Sequence, residues 1–123
     1  MTYENVASEI VDACVKIHKK LGPGLLESVY EKVLAYELTN RCLEVKTQVA
    51  IPVRYEEVQL EVGFRADMII AGLVVVELKS VENVLPVHKK QLLTYLRLTD
   101  KKLGLLVNFG SELMKDGITR IIN

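Results

Sequence analysis

Five charged or polar side chains lie where they could act together on one substrate. Asp67 precedes an apolar run, and Glu77 and Lys79 end the apolar run that follows it. Because side chains of a strand alternate between faces, Glu77 and Lys79 should project from the same side. Gln91 and Tyr95 have the spacing of neighbours on one face of a helix.

The chemistry that uses such a set is hydrolysis of a phosphodiester. Asp67 and Glu77 would supply hard oxygen ligands for Mg²⁺ (or Mn²⁺), which takes the rest of its shell from water and substrate phosphate. The metal would polarise the phosphoryl group and lower the pKa of a bound water. Lys79 would steer that water and offset developing charge, and the Gln91 amide would orient either of them. Glu27 is a candidate third ligand, directly or through water.

Simpler explanations exist for each of these residues. Glu77 and Lys79 could form only an ion pair, which contributes little at a surface. Asp67 could serve as a turn former. Gln91 and Tyr95 could be one polar and one core position of an amphipathic helix.

Glu27 and Tyr30 have two interpretations as well. Glu27 follows the helix stop Gly22-Pro23-Gly24 and could simply favour the positive end of a helix dipole. Tyr30 could be a core residue, or it could hydrogen-bond Glu27 or Lys79 and set the rotamer of that side chain.

The metal hypothesis makes a prediction about backbone geometry. If Ala71 and Gly72 form a two-residue hairpin loop, Asp67 faces away from Glu77. A three-residue loop over residues 70–72, a bulge, or the end of the strand at Asp67 would restore the shared face. The hypothesis therefore predicts an irregularity at this position.

The elements that must position these residues follow from hydrophobic periodicity. Apolar residues at three- and four-residue spacing predict helices over residues 4–21, 25–39 and 86–99. Alternating or continuous apolar runs predict strands over residues 43–54, 58–64, 68–70, 73–79 and 103–109, with a last strand near 118–122. Strands on both sides of helices predict an α/β fold, a mixed sheet flanked by helices.

Length and composition limit the classes of function. The 123 residues suit a single domain, 1–123, and the 16 basic and 16 acidic residues balance. The chain thus lacks the basic excess of many nucleic-acid binders. Cys14 and Cys42 are each interpreted as lying on a helical segment and packing as small apolar residues, and no cluster of ligands predicts zinc. Without a leader-like segment or a membrane-length apolar run, we expect a cytoplasmic protein that does not cross a membrane.

Three motifs resemble those of a known superfamily. The pattern Asp67…Glu77-Leu78-Lys79 resembles the PD-(D/E)XK nuclease motif, with Ala66 in place of the Pro, a position that varies and carries no ligand. QLLTY (91–95) resembles the QxxxY element of the RecB-like branch. GLLESVY (24–30) matches the GxxExxY signature of a family within that superfamily, and the resemblance continues through 104–110 and the C-terminal tail.

The resemblance implies a restriction-endonuclease-like αβββαβ core and Mg²⁺-dependent cleavage of nucleic acid, DNA more than RNA. The matching positions are Glu27, Asp67, Glu77 and Lys79. Two alternatives remain open: a non-catalytic binding or regulatory scaffold that keeps the nuclease fold, and a phosphoesterase acting on a small nucleotide. A homodimer formed through the apolar C-terminal strand is a further hypothesis.

Overall fold

Nine elements of secondary structure follow one another in the computed structural model, which describes residues 1–123. The four helices are α1 (Tyr3–Leu21), α2 (Glu27–Asn40), α3 (Pro86–Thr99) and the short α4 (Met114–Gly117). The five strands are β1 (Val45–Tyr55), β2 (Val58–Ile70), β3 (Val74–Lys79), β4 (Leu103–Asn108) and β5 (Ile118–Ile122).

The five strands form one mixed sheet in the order β1-β2-β3-β4-β5. Only β3 and β4 are parallel, and α3 provides the crossover between them. The other neighbours pair antiparallel. The predicted α/β fold, a mixed sheet flanked by helices, is therefore confirmed. None of the helices combines the length and hydropathy that a bilayer crossing requires.

The first two helices cover one face of the sheet. The Thr2 hydroxyl caps α1 by accepting from the Asn5 amide at 3.1 Å. One stripe of α1, including Val6, Ile10 and Ile17, is buried against α2 and the central strands. Burial of this stripe is the main stabilising term, because the hydrophobic effect scales with the apolar area removed from water.

α3 covers the opposite face over a smaller core, in which Leu92 and Leu96 are fully buried. Gly104 of β4 makes this close approach possible: a Cβ there would lie 2.9 Å from Cγ of Leu92. Pro86 begins the helix at its first turn, and the bounds of α3 equal the predicted range. Two apolar residues of α3, Val87 and Leu98, are exposed.

Two further details differ from the sequence-based expectation. Residues 58–64 and 68–70 belong to the single strand β2, because β1 pairs with it along nearly its whole length. Cys42 lies in the turn after α2, exposed and with φ of 65°, whereas Cys14 is buried as expected.

Candidate active site

The hairpin between β2 and β3 brings Asp67 opposite Glu77. Met68 pairs with Val76 and Ile70 with Val74, which leaves a three-residue connection, Ala71 to Leu73. Ala71 and Gly72 both have positive φ, and the Leu73 amide donates to the Ile70 carbonyl at 2.9 Å. A three-residue loop was predicted by the metal hypothesis, and the observed one lies one residue later in the chain.

The backbone pairing of β2 with β3 stops at Met68 and Val76, next to Asp67. Beyond that point, backbone amides bond to the carboxyl oxygens of the opposite strand instead of to its carbonyls. The Asp67 amide donates to Oε1 of Glu77 at 3.2 Å. The Leu78 amide donates to Oδ2 of Asp67 at 2.8 Å. A backbone amide of the opposite strand thus holds each carboxyl group, and the two carboxyl groups lie side by side at the end of the ladder.

The predicted irregularity is present on the other side of β2 as well. Asp67 lies opposite Gln48 of β1, between the paired positions Thr47–Met68 and Val49–Ala66. Gln48 has φ of 49°, a left-handed conformation that breaks a regular strand. Residues two apart normally share a face, yet Ala66 packs in the core under α3 and Met68 in the core under α1 and α2. The side chains of β2 therefore change faces at Asp67.

Glu77 is an unusual carboxyl group because it is buried, with 8% of its surface exposed. Its pKa is raised to about 9, chiefly because burial disfavours the charged form. The charge of Asp67 and a hydrogen bond between the two carboxyl groups raise this pKa further, while the charge of Lys79 lowers it. In the absence of a cation, Glu77 therefore holds a proton at neutral pH.

A small pocket of about 120 Å³ lies beside Asp67. Glu27, the first residue of α2, is exposed on its wall. Gln48 donates to the Glu31 carboxylate at 2.9 Å across the same pocket. The lining residues are Glu27, Ser28, Glu31, Gln48, Asp67 and Leu78.

Lys79 ends β3 and is partly exposed. No ion pair within 4 Å joins it to Glu77, since the ion pairs of the chain all involve other residues. The simple explanation of the pair as a surface ion pair is therefore wrong. Lys79 is nevertheless close enough for its charge to lower the pKa of Glu77.

Tyr95 on α3 is partly buried and lies near the acidic pair in electrostatic terms. Its ring stacks on Phe64 of β2, with centroids 3.8 Å apart and planes 8° from parallel. The pKa of its hydroxyl is raised by burial and by the negative charges of Glu77 and Asp67. Gln91, one turn earlier on α3, is exposed. The charges of the acidic pair thus reach Tyr95, whereas Gln91 is exposed and its side chain makes no hydrogen bond within the chain.

Tyr30 is fully buried and does not contact the carboxylates through hydrogen bonds. Its hydroxyl donates to the Gly22 carbonyl and accepts from the Leu25 amide, so the expected bond to Glu27 or Lys79 is wrong. Its ring stacks on Phe109 with centroids 4.2 Å apart.

Two polar residues that support the site were missed from the sequence. Ser80 donates to the Leu25 carbonyl at 2.7 Å. Asn108, buried to 2% exposure, accepts from the Val81 amide at 3.0 Å and donates to the Val81 carbonyl at 2.9 Å. The available signal for Asn108 was its place at the end of an otherwise apolar strand.

The donor set fits a hard divalent cation in part. Two adjacent carboxyl groups, one of them buried, repel when both are charged, and a cation between them would remove that cost. No group of three His, Cys, Asp or Glu side chains lies close enough to hold an ion, so Glu27 does not complete a three-carboxylate cluster with Asp67 and Glu77. Direct protein ligands would be Asp67 and Glu77, with Glu27 acting across the pocket through water.

Comparison with known proteins agrees with the geometry. No curated protein and no solved structure matches the chain. A family model described as PD-(D/E)XK nuclease superfamily matches residues 4–121, which include every residue of the site. Over nearly its full length, therefore, the chain belongs to the PD-(D/E)XK nuclease superfamily.

Proposed function

We propose that the protein is a Mg²⁺-dependent nuclease (Mn²⁺ being an alternative ion) that hydrolyses phosphodiester bonds in DNA, or in RNA. The observation that carries the proposal is the contact between the Asp67 and Glu77 carboxyl groups, with the Lys79 ammonium close by. Such a set concentrates hard oxygen donors and one positive charge at the tip of a strand. Membership of the superfamily supports the same reaction class.

Each residue has a distinct role in this proposal. Asp67 and Glu77 hold the cation, which when bound supplies Lewis acidity toward the phosphoryl group. Glu77 must lose its proton to become a ligand, since only the carboxylate binds metal. Lys79 orients the attacking water and offsets charge that develops on the phosphoryl oxygens. Gln91 and Tyr95 orient the water or the substrate from the α3 side.

The finer family assignment belongs to the proposal as well. We infer that the chain is a member of the GxxExxY branch, because Gly24, Glu27 and Tyr30 occupy the signature positions. Gly24 lies in the loop before α2, Glu27 is the first residue of the helix, and Tyr30 is its first buried residue.

The deciding experiment measures cleavage of single-stranded, duplex and branched DNA and RNA with Mg²⁺ or Mn²⁺. Wild type is compared with Lys79→Ala and with Lys102→Ala, a matched exposed lysine at the opposite end of the parallel strand pair. We expect loss of cleavage in Lys79→Ala alone. Equal cleavage by both variants would indicate contamination, and no cleavage with no metal-linked shift in Tm would favour the scaffold.

One observation favours a second candidate function. The lining of the pocket beside Asp67 includes no Lys or Arg, and the chain carries no net charge. A small nucleotide phosphodiester needs fewer cationic contacts than a polynucleotide, whose binding depends on many phosphates. Including a dinucleotide in the assay separates a phosphoesterase from a nuclease.

The homodimer remains a prediction. β5 is an edge strand of the sheet, and Ile122 on it is 55% exposed. An exposed apolar edge is a template for pairing with a second chain. Light scattering coupled to size exclusion, compared between wild type and Ile122→Lys, tests this arrangement.

A further inference from the structure

The loop that leads into α2 depends on glycine. Gly22 and Gly24 both have positive φ, at 72° and 105°, conformations that residues with a Cβ rarely adopt. The residue that caps α2 is Leu26, which offers no side-chain hydrogen bond. Glu27 follows directly, so its position depends on contacts made with other parts of the chain.

Tyr30 supplies the first of these contacts. Its hydroxyl bonds both the Gly22 carbonyl and the Leu25 amide, the latter at 3.2 Å, and so ties together the two ends of the loop. The ring cannot move freely, because it is fully buried and stacks on Phe109 with planes 5° from parallel.

Ser80 supplies the second contact, which joins the loop to the end of β3. Its hydroxyl donates to the Leu25 carbonyl at 2.7 Å. Ser80 follows Lys79 directly, and the Lys79 carbonyl accepts from the Phe109 amide at 2.9 Å. The same Phe109 therefore supports both Tyr30 and the end of β3.

We propose that Tyr30 and Ser80 are positioning residues whose hydroxyls fix the loop 22–25 against the end of β3 and thereby hold Glu27 at the metal pocket. This inference rests on the proposed function and explains the Tyr of the GxxExxY signature by its hydrogen bonds. Neither hydroxyl reaches the substrate or the cation. Both act through Glu27.

The first test uses the protein without substrate. Tyr30→Phe keeps the ring stack and removes only the hydroxyl, and Tyr36→Phe, on the exposed face of the same helix, is the matched control. We expect Leu25 amide hydrogen exchange to accelerate in Tyr30→Phe alone. Unchanged exchange would show that the hydroxyl does not restrain the loop.

The second test measures Mg²⁺ affinity by calorimetry for Tyr30→Phe, Ser80→Ala and Ser80→Thr. Loss of residues that orient metal ligands typically weakens binding about 10- to 100-fold, and we expect roughly tenfold for Tyr30→Phe and Ser80→Ala. Ser80→Thr keeps the hydroxyl and should restore wild-type affinity. Ser8→Ala, an exposed serine on α1, is the control. Wild-type affinity in both Tyr30→Phe and Ser80→Ala would overturn the proposal.

A double-mutant cycle distinguishes positioning from general stabilisation. If the hydroxyls act through Glu27, Tyr30→Phe should weaken Mg²⁺ binding little once Glu27→Gln is present. Additive effects would contradict the inference. If the wild type binds no metal, both the proposed nuclease function and the role assigned to Glu27 fail. If the wild type binds metal and the substitutions at Tyr30 and Ser80 leave its affinity unchanged, only this inference fails.

Discussion

The backbone amide of Asp67 donates a hydrogen bond to the carboxylate of Glu77, so one acidic residue holds the side chain of the other. The Leu78 amide holds Asp67 in the same way from the opposite strand. This exchange occurs where the regular ladder between β2 and β3 ends. The end of this ladder leaves the Asp67 and Leu78 amides to orient the two carboxyl groups.

Glu77 should make the stability of the metal-free protein depend on pH. Between the ordinary pKa of 4.5 and the folded-state pKa of about 9, the folded state holds a proton that the unfolded state has lost. The free energy of unfolding therefore falls as pH rises through this window and levels off above it. The fall is on the order of several kcal/mol, because each pKa unit corresponds to about 1.4 kcal/mol.

Urea unfolding in EDTA at several pH values measures this effect. Glu77→Gln should remove the slope, because the amide does not titrate, while Glu82→Gln, at an exposed position, should retain it. A slope that persists in Glu77→Gln would assign the titration to another group.

Gln91 should affect activity without affecting stability. It is exposed on α3 and its side chain makes no hydrogen bond within the chain, so Gln91→Ala should change the free energy of unfolding by less than about 0.5 kcal/mol. If its amide orients the water or the substrate, cleavage should fall by about 10- to 100-fold. Thr94→Ala, exposed on the same helix, is the control, and equal rates in the two variants would remove Gln91 from the site.

Asn108 should be a structural requirement for the site. Replacement by Ala leaves the Val81 amide and carbonyl, and the Gly110 amide, without their partner. A fully buried group left without a partner costs about 1–3 kcal/mol, and because Val81 and Gly110 are only partly buried we expect a total loss of about 2–4 kcal/mol in stability. Asn123→Ala, whose side chain donates to the exposed Lys101 carbonyl, should be near neutral in the same denaturation experiment.

Gly104 should control how closely α3 approaches the sheet. Gly104→Ala places a Cβ 2.9 Å from Leu92, so the helix that carries Gln91 and Tyr95 must move or strain. Overpacking of this kind costs about 1–3 kcal/mol. Leu92→Ala creates space at the same contact, and the double variant should be more stable than the sum of the two single effects predicts. If the two changes in the free energy of unfolding simply add, the two residues do not contact each other.

The sequence predicted the parts of the molecule that depend on local patterns. The helix over residues 86–99 follows from Pro86 and its apolar spacing, and the charged end of β3 follows from the order of Glu77 and Lys79. Of the three irregularities that would let the two carboxylates share a face, the three-residue hairpin loop is present, one residue later than predicted.

The remaining features depend on contacts distant in sequence. Val58, Leu60 and Val62 alternate like a half-buried strand, yet they are exposed because this part of β2 extends past β3. Ser80 bonds the Leu25 carbonyl, 55 positions earlier in the chain, and no local pattern reports that contact. Gln48 adopts a left-handed conformation that its residue type does not require.

The stack of Tyr30 on Phe109 has a consequence for synthesis on the ribosome. The hairpin that joins Asp67 to Glu77 is complete once residue 79 has emerged, so the acidic pair can assemble early. Tyr30, in contrast, must wait for a ring 79 positions further along the chain. A nascent polypeptide would therefore carry the acidic pair before the ring of Tyr30 can stack on Phe109.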